Sequence, residues 1–202
     1  MDHFGSLMFT ADVVAEQAAV GSDAGYRAML AREVPDGLGK NERLFITTRQ
    51  SFYLASISSS GWPYVQHRGG PAGFVQVLGP TRIGFGDFKG NRQFVTTGNI
   101  KADPRVSLFM TDYPRKARLK ILGHMERLDN VPDWAGDAGE GPVPERYFEI
   151  EIAAFDWNCP KYIEPRFTQT EIAEMLRPHL DKLEARNQAL EAELAELKRA
   201  RE

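Results

Sequence analysis

The chain has 202 residues, 42% of them hydrophobic and 26% charged, with a formal charge of −3, which suits one globular domain with appendages and a sizeable core. A pI near 5.9 argues against general nucleic-acid binding, and the single cysteine, Cys159, excludes an internal disulfide and any cysteine-rich metal site. No run is apolar enough to span a bilayer, and the first residues carry neither a basic n-region nor an apolar h-region, so the expectation is a cytoplasmic protein with no membrane or nucleic-acid partner.

Residues 1–44 read as a helical clasp with no chemistry of its own. Thr10 is placed to cap a helix over residues 11–20, and Ser22 or Asp23 opens a second piece carrying Tyr26, Met29 and Leu30 at helical spacing. Residues 35–39 form a loop, and Asn41 is a candidate cap for a short helix through Leu44, Phe45 and Ile46.

From there the period becomes two. Residues 52–57 are β-prone, and a turn over Ser58, Ser59, Ser60 and Gly61 returns the chain into residues 64–67. Residues 74–78 and 81–85 make a second hairpin about Gly79 and Pro80. Residues 91–98 read as a short helix with basic residues at its N-terminus, where free N–H groups and the helix dipole favour a phosphate. Residues 105–111 and 118–128 are two further strands. In the second of these Arg118, Lys120, Leu122 and His124 share one face, and Leu119, Ile121 and Gly123 the other. Residues 129–146 are rich in Gly, Pro and Asp and read as a surface loop before a last strand, 147–155. Short strands with turn signals at this spacing predict a mainly β protein, a small antiparallel barrel with flanking helices.

Charge is unevenly spread over these elements. From Trp62 to His124 there are ten Lys and Arg against three Asp. Two glycine-rich patches stand out: residues 63–73 with Arg68, and residues 83–92 with Lys89, Asn91 and Arg92. Gly69, Gly70, Gly73, Gly84, Gly86 and Gly90 are expected to let the backbone approach a ligand closely. Arg68, Lys89 and Arg92, joined by the Asn91 amide, are the group expected to hold a phosphate. The spacing Gly84-x-Gly86-x-x-x-Gly90 is off by one for a dinucleotide fingerprint and has no βαβ unit around it. His67 reads as a hydrogen-bonded structural residue or one stacked near a cofactor, and Cys159 as a small buried hydrophobe. No triad or metal cluster is read, and no residue is assigned a catalytic role.

The C-terminal segment, 167–202, has a different grammar and reads as a helix. Leu176, Leu183, Leu190 and Leu197 recur every seven residues at d, with Leu180, Asn187, Leu194 and Arg201 at a. One Asn among leucines favours a parallel two-stranded coiled coil, expected to begin at about residue 178 with Pro178 in its first turn.

Three short stretches taken together resemble a known family. They are His67-Arg68-Gly69-Gly70-Pro71-x-Gly73-Phe74, Gly90-Asn91-Arg92, and Asp156-Trp157-Asn158-Cys159-Pro160. Over about residues 45–166 the chain resembles the pyridoxamine 5′-phosphate oxidase-like flavoproteins, with an FMN-binding split β-barrel of antiparallel, Greek-key type. The resemblance implies a homodimer with FMN at the subunit interface and a small-molecule substrate. It places Arg68 and the adjoining Gly69, with Lys89, Asn91 and Arg92, on the FMN phosphate side, and Trp157 against FMN from the second subunit. Arg118 and Lys120 join the cofactor-binding set, and Arg166 stands where a substrate-side arginine would be. Asn91 stands where the oxidase has an arginine, and Gly73 near a position where it has a lysine. The oxidase's C-terminal recognition segment is replaced by the heptads. The implied activity is an FMN-dependent oxidoreductase moving hydride between reduced nicotinamide and a small acceptor. The alternatives are a non-catalytic flavin- or haem-binding carrier or sensor, or a deazaflavin-dependent reductase.

Overall fold

The computed structural model describes residues 1–136, 142–158 and 160–201; the expectation for Cys159 lies outside them. Among the described residues seven strands form one antiparallel sheet: β1 (Ser51–Ile57), β2 (Pro63–Gly69), β3 (Val75–Val77), β4 (Arg82–Asp87), β5 (Arg105–Asp112), β6 (Ala117–Leu128) and β7 (Arg146–Asn158). Their order is β2-β1-β5-β6-β7-β4-β3. The period of two decides which side is covered. Phe52 and Leu54 of β1, Val106, Leu108 and Met110 of β5, Leu119 and Ile121 of β6, and Phe148 and Ile150 of β7 all turn inward and are buried.

The sheet curls on itself as a split barrel. Phe52 stacks on Phe74 at 5.8 Å and meets Phe85 edge-on at 5.2 Å, although β1 and β4 stand four places apart in the strand order. Only curling brings them together. The register shifts at Leu122/Gly123, opposite β7, and a side chain at Gly123 would sit 2.6 Å from the Glu151 carbonyl oxygen. Glycine is required there by space.

Among the described residues five helices accompany the sheet in its own unit, α1 (Phe4–Met8), α2 (Ala11–Ala19), α3 (Asp23–Leu30), α4 (Lys40–Thr47) and α5 (Val95–Ala102), and a sixth, α6 (Gln169–Arg199), belongs to the C-terminal segment. Thr10 caps α2 by accepting the Val13 N–H. The short α1 escapes the periodicity; His3 caps it through a ring nitrogen that accepts the Gly5 N–H at 3.2 Å. α4 starts at Lys40 with Gly39 as its N-cap, so Asn41 lies inside it and not at its cap. Its Phe45 and Ile46 enter the core.

α6 begins well before Pro178. A reciprocal capping box between Thr168 and Glu171 starts it at Gln169 and leaves Pro178 in the interior, where the Glu174 carbonyl loses its helical donor. The chain divides into two compact units, Met1–Asp112 with Lys116–Tyr162, and Tyr113–Arg115 with Ile163–Glu202. Among the described residues no helix is long and apolar enough to cross a membrane.

Candidate functional site: an arginine cleft at the barrel seam

Alternation along β2 leaves Gln66 and Arg68 half-buried and sends His67 outward, where its ring meets Tyr53 edge-on at 5.6 Å. Along β4, Ile83, Phe85 and Asp87 share a face, so the core stripe ends in a carboxylate. Curling closes the seam between these strand ends. Arg68 Nη1 donates to Asp87 Oδ1 across it. The other oxygen, Oδ2, accepts from Arg146 Nε at 3.1 Å, since Arg146 lies opposite Asp87 in the β4–β7 register.

The ion pairs continue outward. Arg146 Nη2 reaches Glu145 Oε2 at 3.4 Å, and Glu145 Oε1 accepts from Arg92 Nη2 at 3.1 Å. Three guanidiniums thus alternate with two carboxylates, leaving one net positive charge. The inner members are well shielded: the Asp87 and Arg68 side chains keep 8% and 12% of their surface. Among the described residues Arg68 Nε is buried without a hydrogen-bond partner, a charge-assisted donor left over for an anion.

Around this chain lies a cleft of about 210 Å³, lined by Gln66, Arg68, Asp87, Phe88, residues 90–94, Thr97 and Arg146. Arg92 and Phe94 both adopt left-handed backbone, with φ of 59° and 54°. Such residues cost roughly 1–2 kcal/mol each. The Asn91 side chain accepts the Gln93 N–H at 3.2 Å, and the Arg146 guanidinium lies 4.5 Å above the Phe94 ring, holding the loop. Two left-handed residues cannot propagate a right-handed helix, so α5 starts at Val95 and not at residue 91. Its N-cap, Phe94, supplies no side-chain acceptor for the first-turn N–H groups. Three arginines therefore line one cleft beside the uncapped start of α5, a donor set that suits an anion such as a phosphate.

Of the residues singled out in the sequence, Arg68, Asn91 and Arg92 line the cleft, while Gly69 and Lys89 adjoin it in sequence without lining it. Gly90 has open space around it. Gly84 and Gly86 serve a different purpose from the one expected. A Cβ on Gly84 would meet the Trp134 indole at 2.6 Å, and one on Gly86 would strike Pro144. These glycines admit the chain's own β6–β7 loop, not a ligand, and the Trp134 Nε1–H donates to Glu149 Oε1 at 2.8 Å. Gly70 likewise makes room for Phe74 and Phe88.

Arg118 and Lys120 fall on the outer face of the sheet. Lys120 Nζ pairs with Asp156 at 2.9 Å and sits 4.4 Å above the Phe4 ring; Arg118 lies 5.9 Å from the Phe109 ring. Trp157 donates to Glu42 Oε1 at 2.6 Å and meets Phe45 edge-on at 4.8 Å. Arg166, in the second unit, stands over the Tyr113 ring at 5.1 Å. Arg146 was not anticipated. It follows a Gly/Pro loop, and only strand pairing carries it to Asp87. Among the described residues no group of three His, Cys, Asp or Glu could hold a metal ion.

No curated protein matches the chain. Solved structures similar to it include HupZ from Group A Streptococcus, 12% identical over 64% of this chain and 99% of that one, with a TM-score of 0.48. A candidate pyridoxamine 5′-phosphate oxidase from Lactobacillus delbrueckii is 20% identical over 60% and 95%, with a TM-score of 0.46. An FMN-binding protein from Syntrophomonas wolfei is 10% identical over 58% and 83%, with a TM-score of 0.44. The family model described as pyridoxamine 5′-phosphate oxidase matches residues 38–159, more than half of the sequence, and the chain belongs to that family.

Proposed function

We propose that the chain is an FMN-dependent oxidoreductase, a homodimer with the flavin at the subunit interface, moving hydride between reduced nicotinamide and a small acceptor. The observation that carries this is the buried, unpartnered Nε of Arg68 beside Arg92, Arg146 and the uncapped start of α5. That set fits a phosphate. Bound flavin would supply the two-electron chemistry, and the protein's part is to hold, orient and enclose it.

In this reading Arg68, Arg92 and Arg146 bind the phosphate, with Asn91 fixing the loop between them. A cleft of about 210 Å³ is smaller than a pocket for a whole ligand of this size, so it takes the phosphate end and the ring needs a second wall. The outer face of the sheet supports a second copy as that wall. Cross-strand pairing sets His67, Tyr53, Phe109 and Lys120 in one row and Val65, Ala55, Ser107 and Leu122 in the next. Tyr53 and Val65 are 44% and 61% exposed there, as an interface would require. Gly69, Arg118, Lys120 and Trp157 would flank the flavin within such a dimer, and self-pairing of α6 as a coiled coil completes the assembly.

The test is a purified sample and its visible spectrum, followed by anaerobic titration with NADH and NADPH. A flavin spectrum bleached by either nucleotide supports the proposal. A protein that stays colourless and takes up no added FMN overturns it, and a bound flavin that neither nucleotide reduces leaves a carrier.

A further inference from the structure

α6 is a 31-residue helix with no buried residue, about 46 Å long at the usual rise. Leu176, Leu180, Leu183, Leu190, Leu194 and Leu197 each leave between 51% and 59% of their surface open. Isolated helices draw most of their stability from packing an apolar stripe, so a stripe this regular calls for an occupant.

We propose that the occupant is α6 of a second copy, laid parallel and in register as a two-stranded coiled coil. This rests on the self-association part of the function proposed above and is independent of the flavin. With Leu183 and Leu190 at d and Asn187 at a, the e positions are Arg177, Glu184, Glu191 and Lys198, and the g positions His179, Arg186 and Glu193. In a parallel pair each g residue meets the e residue of the next heptad. Arg186 then faces the partner's Glu191, Glu193 faces the partner's Lys198, and His179 faces the partner's Glu184. Every one of these contacts is attractive or neutral.

The antiparallel pair that sets Asn187 level with the partner's Leu190 is worse on both counts. It sets e against e and g against g, so Glu184 meets the partner's Glu191 and Arg177 meets the partner's Lys198, and only Arg186 finds an opposite charge, in the partner's Glu193. It also lays Asn187 against the partner's Leu190, burying an amide with no partner. The parallel pair sets Asn187 against its own copy, where the two amides can bond.

Glu191→Arg separates the two arrangements by sign. Its helical neighbours at three and four residues' distance are Asn187, Gln188, Leu194 and Ala195, so no charge within the helix meets the new arginine. In the parallel pair it confronts the partner's Arg186; in the antiparallel pair it would relieve repulsion at the partner's Glu184. The assay uses the full chain with Cys159→Ser and Asn187→Cys, the cross-link read in a glutathione redox buffer, and flavin content measured on the same samples. The expected result is a covalent dimer through Cys at 187. Adding Glu191→Arg should lower the effective concentration about tenfold, two symmetric contacts each turning from attractive to repulsive. Adding Arg186→Glu as well should restore it. A stronger cross-link with Glu191→Arg overturns the proposal. So does a mixture of Leu183→Cys and Leu194→Cys chains that links while the 187 variant does not, or the absence of any cross-link. A sample that cross-links as expected but holds no flavin contradicts the flavin assignment alone.

Discussion

Replacing Asp87 with Ala probes the centre of the cleft. The carboxylate accepts from Arg68 and Arg146, whose side chains are 12% and 18% exposed. Removing it leaves two shielded guanidiniums without their shared counter-charge. Breaking a buried pair costs roughly 3–5 kcal/mol. Arg146 keeps Glu145 at 3.4 Å, and both arginines keep some solvent, so the lower end, about 3 kcal/mol, is expected for the cofactor-free protein. For a chain of this size that is a fall in Tm of about 6–12 °C. The ligand should reverse much of it. Without Asp87 the cleft's net charge rises from one positive to two, and a phosphate supplies the anion that the carboxylate supplied. Differential scanning fluorimetry with and without excess FMN measures both effects. FMN should raise the Tm of Asp87→Ala by more than that of the wild type. A variant that melts like the wild type, or gains less from FMN, would refute the assignment of Asp87 as the internal counter-ion of the phosphate site.

Gly84→Ala should cost roughly 1–3 kcal/mol in a denaturant titration, because the added methyl falls 2.6 Å from the Trp134 indole; a loss under half that would mean the β6–β7 loop yields freely. The side-chain hydrogen bond from Arg105 holds the Asp103 carboxyl down to about 2. Its contribution to stability is therefore complete above the ordinary value of 3.8 and lost as pH falls through about 2, so Asp103→Asn should flatten that part of a Tm-against-pH curve. Pyridoxamine 5′-phosphate should be turned over negligibly in an oxygen-coupled assay, since a heptad helix follows residue 168 where the oxidase carries its recognition segment; turnover at the rate of a dedicated oxidase would contradict this.

The strands were legible because one side of the sheet is buried and alternation then has one solution. Residues 52–57, 64–67, 105–111 and 118–128 all fall within observed strands. Arg68 was legible because it ends an alternating strand beside glycines. The glycines of β4 misled, since a small residue that admits a ligand and one that admits Trp134 look the same in sequence. Arg146 was invisible because its partner Asp87 is 59 residues away and only the β4–β7 register joins them. The start of α5 was placed early because nothing in the residue types at 92 and 94 announces left-handed backbone, which Asn or Gly would have done. Pro178 was expected in the first turn of the coil, and α6 carries it in its interior instead, because the capping box at Thr168 and Glu171, ten and seven residues upstream, starts the helix.

Arg68 and Arg92 are proposed to grip a flavin through its phosphate, and comparing FMN with riboflavin tests this most directly. Riboflavin carries the same ring and ribityl chain without the phosphate. Titrating both into the apo wild type and into Arg68→Ala and Arg92→Ala, by fluorescence quenching, separates the two parts of the ligand. Each substitution removes a charge-assisted contact worth roughly 1.5–3 kcal/mol, so each should weaken FMN at least tenfold and leave riboflavin within about twofold. Equal losses for the two ligands, or an FMN affinity unchanged in the double variant, would contradict the account.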